Sequence, residues 1–264
     1  MFNIKEDSKQ AYWQYKYDDK VFNDIFYRHM HNNFEIHLIV KGEGAFNLDG
    51  KEVDTSNLDL IIVPPHSYHV FNVNKKIPYE RFVFNFPQDY YGFDIGDVIN
   101  KAGVHSLSTH HEIVDSFKKI DEYSKTLNEE DFVRMLHLYV QIILLQLKNT
   151  SFDDKESKST NHLTASALSY IDEHLFSPLD VKTIADALYI SKSHLQNTFY
   201  KSMKIGLKTY IIQRKIDKAQ TMINEGMGAT EVASMLGYRT YSTFYKSYTK
   251  IYGIPPNYAK KKKN

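Results

Sequence analysis

The chain contains no cysteine, which excludes a disulfide framework and a thiolate-held zinc and suits a reducing compartment. It has no apolar run approaching the ~18 residues of a membrane-crossing helix. Its opening residues, Met1-Phe2-Asn3-Ile4-Lys5-Glu6-Asp7, lack the basic-then-apolar order of a secretory signal. A cytoplasmic protein without membrane contact is expected. Excess charge of one sign is missing too, since 33 Lys+Arg against 32 Asp+Glu leave +1. That balance hides a division: residues 160–264 hold 15 basic and 7 acidic side chains, and residues 1–159 hold 18 and 25. The basic part is where a polyanion would be met. Lys260 to Lys263 supply four of those charges, as a solvated tail would, and without them the excess is still +4.

What is present, over 264 residues, suffices for two domains with separate cores. Phe34 to Val40, Gly44 to Leu48, Leu58 to Val63, Tyr68 to Val73 and Glu80 to Phe86 are rich in Val, Ile, Phe and Tyr and read as strands. Asp49-Gly50 is a hairpin signal, because a primed turn needs positive φ angles that Asp and Gly tolerate. Pro64-Pro65 ends a strand. Short strands at near-regular spacing predict an antiparallel sandwich or barrel. The period then changes to about 3.6, with helices expected over His111–Leu127 and Glu130–Leu147. The second carries a broad apolar stripe, wide enough for one edge to pack on the strands and the other to meet a second subunit. Thr150 to Asn161 is polar and Ser-rich and reads as a linker.

Beyond the linker the sequence repeats itself. Ile184-Ala185-x-x-Leu188-x-Ile190-Ser191, then Leu195 and Phe199, returns 48 or 49 residues later as Val232-Ala233-x-x-Leu236-Gly237-Tyr238, then Phe244 and Tyr248. A short helix, a tight turn and a second amphipathic helix is the pattern that lays a recognition helix in a DNA groove. A lone copy would more readily be part of a plain helical bundle; duplication on the basic half reverses that and favours DNA. Helices are expected over Leu163–Leu175, Leu179–Leu188, from an N-cap at Ser191 to about Ser202, Leu207–Glu225 and Thr230–Leu236, with Thr240 or Tyr241 opening the last. Leu195 and Phe199 face the core, which turns Lys192, Ser193, Gln196, Asn197 and Tyr200 outward. Phe244 and Tyr248 repeat that buried pair, leaving Arg239, Thr240, Tyr241, Thr243, Lys246 and Lys250 as the second set of DNA contacts. Gln and Asn can pair bidentately with adenine, and Arg or Lys can reach guanine or phosphate.

The run from Tyr170 to Tyr258 resembles the DNA-binding domain of the AraC/XylS transcriptional regulators, in the Leu-Ala-type helices, Ser191, Arg214 and Ala219 on the joining helix, Gly237-Tyr238, Gly253 and Pro256. The resemblance implies a bipartite domain whose two recognition helices enter adjacent major grooves of promoter DNA, with RNA polymerase as a further partner. By that similarity Asn197 and Lys246 stand at contact positions, and Lys204 replaces a turn glycine, so a strained left-handed residue is expected there. Arg28-His29-Met30-His31-Asn32-Asn33-Phe34-Glu35, with Gly42 and Pro64-x-His66-x-x-His69, resembles a cupin barrel. In metal-bearing cupins the positions of His29, His31, Glu35 and His69 would hold Fe, Mn, Ni or Zn. The reading taken instead is that these four line the barrel mouth and hydrogen-bond an effector, with no cofactor; a satisfied polar cluster is the plainer alternative. Phe34, Ile36, Leu38, Phe46, Ile61, Val63, Phe82 and Phe84 are expected to bound the barrel interior, and His37 to face outward.

The expected fold class is α+β in two domains. Residues 1–150 form a cupin-like antiparallel β-barrel with following helices, for effector sensing and dimerisation; 151–161 are the linker; 162–264 are an all-α domain with two helix-turn-helix motifs on a long helix. The expected function is a sequence-specific, effector-responsive transcriptional regulator, an activator and homodimer, with no catalytic residues. Two other readings stay open, a metal-dependent cupin enzyme tethered to DNA and a ligand-independent regulator controlled by a protein partner.

Overall fold

The computed structural model describes residues 2–6, 9–19, 33–65, 67–87, 95–152, 155 and 161–256. The chain divides into two compact units, Met1–Lys158 and Ser159–Asn264.

Among the described residues of the first unit, strands β1 (Phe2–Glu6), β2 (Lys9–Asp18), β3 (Asn33–Lys41), β4 (Gly44–Leu48), β5 (Lys51–Thr55), β6 (Asp59–Val63), β7 (His69–Val73), β8 (Tyr79–Pro87) and β9 (Gly103–Ser106) form two antiparallel sheets. One has the order β1-β2-β8-β3-β6-β9 and the other β5-β4-β7. Helices α1 (Gly96–Ile99), α2 (His111–Thr126) and α3 (Glu129–Asn149) complete the unit. All five expected strands are present within a residue or two at each end. The Asp49-Gly50 turn joins β4 to β5, with φ of +47° and +86° at its two residues.

The antiparallel sheet domain is as expected, and what differs is which side chains face its interior. Among the described residues the strands make two separate sheets, and the larger sheet is covered on both faces. Phe34, Ile36, Leu38, Phe82 and Phe84, expected to bound an interior, pack against α2 and α3, with Phe117 centred 5.8 Å and 5.3 Å from Phe82 and Phe84. Phe46, Ile61 and Val63 belong to a different cluster, with Phe71 and Tyr79, between the sheets. Side chains alternate across a strand, so neighbours in sequence serve different cores. Trp13 on β2 anchors the helical side, 5.9 Å from Phe132 of α3 in an edge-on arrangement. Fully burying rings of this size is worth roughly 1.5–3 kcal/mol each.

Helix α3 starts where Asn128 accepts a hydrogen bond from the Asp131 amide at 3.0 Å, with three acidic residues in the first turn suiting the positive end of the helix dipole. Its other end is capped by the Lys101 ammonium, which donates to the carbonyls of Leu147, Lys148 and Thr150 at 2.6–2.8 Å.

The second unit holds α4 (His162–Glu173), α5 (Val181–Ala187), α6 (Lys192–Met203), α7 (Leu207–Asn224), α8 (Ala229–Met235) and α9 (Tyr241–Tyr252). Helix α6 ends at Lys204 with φ +55°, the left-handed geometry expected of a glycine, at a cost of about 1 kcal/mol. The 18 residues of α7 make a rod of roughly 27 Å.

Candidate functional site: paired helical units and a buried polar cluster

The sequence repeat is a repeat of backbone hydrogen bonds. In the first copy the amides of Leu188, Tyr189 and Ile190 donate to the carbonyls of Ile184, Asp186 and Ala185 at 3.0, 3.2 and 3.0 Å. In the second, Leu236, Gly237 and Tyr238 donate to Val232, Ser234 and Ala233 at 3.0 Å each. Both turns pass through the left-handed region at the same place, Tyr189 at φ +55° and Gly237 at φ +71°. This is the C-terminal cap that lets a short helix stop and a second begin at an angle. The second helix is then capped from its own N-terminus, Ser191 accepting from the His194 amide and Thr240 from the Thr243 amide. Leu195, Phe199, Phe244 and Tyr248 are all fully buried.

With those faces inward, Lys192, Ser193, Gln196, Asn197 and Tyr200 of α6 are exposed, as are Arg239, Thr240, Thr243, Lys246 and Lys250 around α9. Tyr241 departs from the expectation. Its ring lies 5.8 Å from that of Phe244 and its hydroxyl is buried, so it closes the base of α9 and does not project. The Thr240 hydroxyl is already engaged, 2.9 Å from that of Thr243. His194 and Ser242 share the exposed first turns and were missed; their spacing from the buried pairs was the available signal. Tyr189, 95% exposed in the first turn, was missed as well.

In the first unit, the face of the larger sheet toward β4 and β7 carries a polar row. Register places Glu35 of β3 beside Asn85 of β8, and Asn85 beside Tyr12 of β2. The Asn85 amide donates to Glu35 at 3.0 Å and accepts from Asn33 at 2.5 Å. Burial and the Glu35 charge push the Tyr12 hydroxyl well above its ordinary range. One step along, the Tyr79 hydroxyl sits 2.8 Å from Nε2 of His37. His37 was expected to face outward; it is 4% exposed, because the smaller sheet covers this face. Burial pulls its pKa down to about 4, Glu35 opposing and Arg81 adding to that shift. Arg81, 2% exposed, pairs with Asp18 at 2.8 Å and lies over the Tyr79 ring.

Of the four cupin positions, Glu35 and His69 are both buried, Nδ1 of His69 lying 3.1 Å from the Ser67 carbonyl. His29 and His31, like His66, lie outside the described residues. Among the described residues no three His, Asp or Glu side chains converge on a metal-sized point. Glu35 accepts a hydrogen bond from the Asn85 amide.

The sequence matches the helix-turn-helix domain family over residues 184–262, both repeat copies included, and the AraC-like ligand binding domain family over residues 15–120. This chain belongs to the AraC/XylS family. It is accordingly a DNA-binding transcriptional regulator with a sensor-type N-terminal domain. Among curated relatives, the Msm operon regulatory protein of Streptococcus mutans is 20% identical over 236 residues, spanning 86% of this chain and 83% of the relative. The lactose operon transcription activator of Staphylococcus xylosus is 21% identical over 233 residues, 83% and 80% of the two chains. Of solved structures, ToxT from Vibrio cholerae aligns over 94% of this chain and 96% of its own at 9% identity, with a TM-score of 0.40. In this AraC/XylS member the signature turn is built with glycine in one copy and tyrosine in the other, and no helix is long and apolar enough to cross a membrane among the described residues.

Proposed function

We propose that this regulator binds promoter DNA as a homodimer, reads two successive major grooves with α6 and α9, and activates transcription by RNA polymerase in response to a small molecule held by its N-terminal unit. The observation that carries the reading is the duplicated turn, which leaves Gln196 and Asn197 on one helix, and Arg239 and Lys246 beside or on the other, exposed over buried pairs. Amide side chains suit adenine, while the cations of the second set suit guanine or phosphate. Titration of promoter fragments at several salt concentrations tests it. Arg239→Ala or Lys246→Ala is expected to cost about 1–3 kcal/mol of affinity where the side chain reads a base, and to lower the salt slope by about one where it meets phosphate. Binding without sequence preference at any salt contradicts the proposal.

The effector is assigned to the buried polar groups of this unit, Glu35 on the larger sheet and His69 on the smaller, together with His29 and His31, which the sequence pattern adds. Buried groups of this kind orient a small polar ligand, and they transmit its binding only if the ligand prefers one arrangement of the protein. The name of the lactose operon relative makes sugars the first class to screen, by thermal shift of the full chain. Glu35→Gln is expected to abolish a shift that the parent chain shows.

Dimerisation is assigned to α3. Its inner face is buried, yet Leu138, Ile142 and Leu145 on the opposite face are 56%, 42% and 60% exposed. Spacings of four and three put them in one stripe. Leu138→Glu with Leu145→Glu is expected to convert the dimer to monomer in sedimentation at micromolar concentration, with helicity retained. A parent chain that sediments as a monomer contradicts this part.

A further inference from the structure

The DNA-binding unit is braced at a point off the axis of its joining helix. The first part of α7 packs with α6, the Tyr210 ring 5.4 Å from Phe199, and its later residues Ile216, Ala219, Met222 and Ile223 share a core with α8 and α9. Lys215 stands at the changeover. Its side chain is 5% exposed, and its ammonium donates to two main-chain carbonyls at 2.7 Å each, Ser177 in the connection from α4 to α5 and Leu236 at the end of α8. One carbonyl belongs to each helix-turn-helix half. Next to it, Gly237 lies so close to the same connection that an added Cβ would stand 2.6 Å from backbone atoms of Ser177 and Pro178.

We propose that Lys215 and the Gly237 contact fix the angle between the two readers, and so set which half-site spacing the regulator accepts. The inference rests on the two-groove reading above. A helix of ~27 Å is itself stiff, but a half packed near each end can still pivot about it. A tie from the turn of one half to the loop of the other triangulates it. A single inserted base pair rotates the second half-site by about 34° around a duplex of roughly 10.5 base pairs per turn. Readers locked in phase reject that insertion, and readers on an unbraced rod accommodate it. Lys215 is thus a positioning residue, which touches no DNA itself. A buried ammonium is costly unless every hydrogen bond it makes is good, and burial lowers the Lys215 pKa. A buried ammonium shared between one carbonyl of each half suits a tie between them.

Selection from randomised duplexes tests the proposal with the full chain. The parent and Lys215→Arg are expected to enrich two sequence blocks at one spacing. Lys215→Met, and Gly237→Ala as a second variant should the first lose helicity, are expected to enrich the same blocks with spacings one base pair shorter and longer. Retention of a single spacing by Lys215→Met overturns the proposal. Because the chain has no native cysteine, Lys201→Cys and Lys250→Cys give a single spin-label pair. The label distance is expected to be narrowly distributed in the parent and broadened by Lys215→Met; equal widths overturn the brace. If the parent enriches only one block, the two-groove reading fails, and the label distances still decide whether the brace exists.

Discussion

Phe244→Asp is expected to melt the second helix-turn-helix copy and to leave the first folded. Phe244 is fully buried, its ring 5.4 Å from Tyr238 and 5.7 Å from Tyr248, in a core shared with Ile216, Ala219, Val232 and Leu236. Removing a buried Phe ring costs about 3–5 kcal/mol through lost transfer energy and the cavity left behind. A carboxylate in the same space adds an unpaired charge, and the chain escapes that penalty by exposing the site to water. The total equals the marginal stability of a small domain. Leu195 and Phe199 serve the other half, so α4 to α6 should keep their amide-exchange protection while α8 and α9 lose theirs. Leu195→Asp is the mirror experiment. In both variants specific DNA affinity should fall to the salt-sensitive background of the remaining reader. Undiminished protection across residues 229–252 in Phe244→Asp would contradict the assignment of this core.

The helical half was legible because two independent periodicities agree. Helix spacing put Leu195 with Phe199, and Phe244 with Tyr248, on inner faces, and the repeat length fixed where each turn must fall. Tyr241 escaped because position alone put it at the start of an exposed helix; its ring turns back on Phe244, as a bulky amphipathic side chain does beside an apolar core. In the sheet half, strand existence was plain and strand facing was not. Phe34-Glu35-Ile36-His37-Leu38 alternates as if one face met water. That inference fails when a second sheet covers the polar face and the polar groups satisfy each other, as Glu35 does with Asn85 and His37 with Tyr79. Strand β2 was missed for a related reason. Lys9 to Asp18 mixes Lys, Gln and Asp with its aromatics, and only the sheet reveals that Trp13 lies on the helical side while Tyr12 joins the polar row. The short β9, with His105 and Ser106 in four residues, carries too little pattern to be read.

That buried polar face makes the N-terminal unit acid-sensitive, and the sign follows from His37. Its imidazole is neutral in the folded unit, with a pKa near 4 against an ordinary 6.5. Between those two values the unfolded chain holds a proton that the folded chain refuses, so stability rises with pH across this window. The contribution is complete above about pH 6.5 and is lost as pH falls through about 4. At about 1.4 kcal/mol per pH unit, the loss is on the order of 3 kcal/mol. Desolvation is the main cause, and Arg81 reinforces it, since a second cation beside a buried guanidinium is repelled. Glu35 is the opposing group. Urea unfolding of the full chain, followed by the fluorescence of its single tryptophan, Trp13, reads the stability of this unit alone. The midpoint is expected to drop steeply between pH 6.5 and 4.5. His37→Phe keeps the ring volume and cannot titrate. It should start about 1 kcal/mol less stable for want of the Tyr79 hydrogen bond, yet lose much less on acidification. His137, also shifted downward by burial, keeps the residual slope above zero. A variant as acid-sensitive as the parent would place the titrating group elsewhere and leave His37 as a packing residue only.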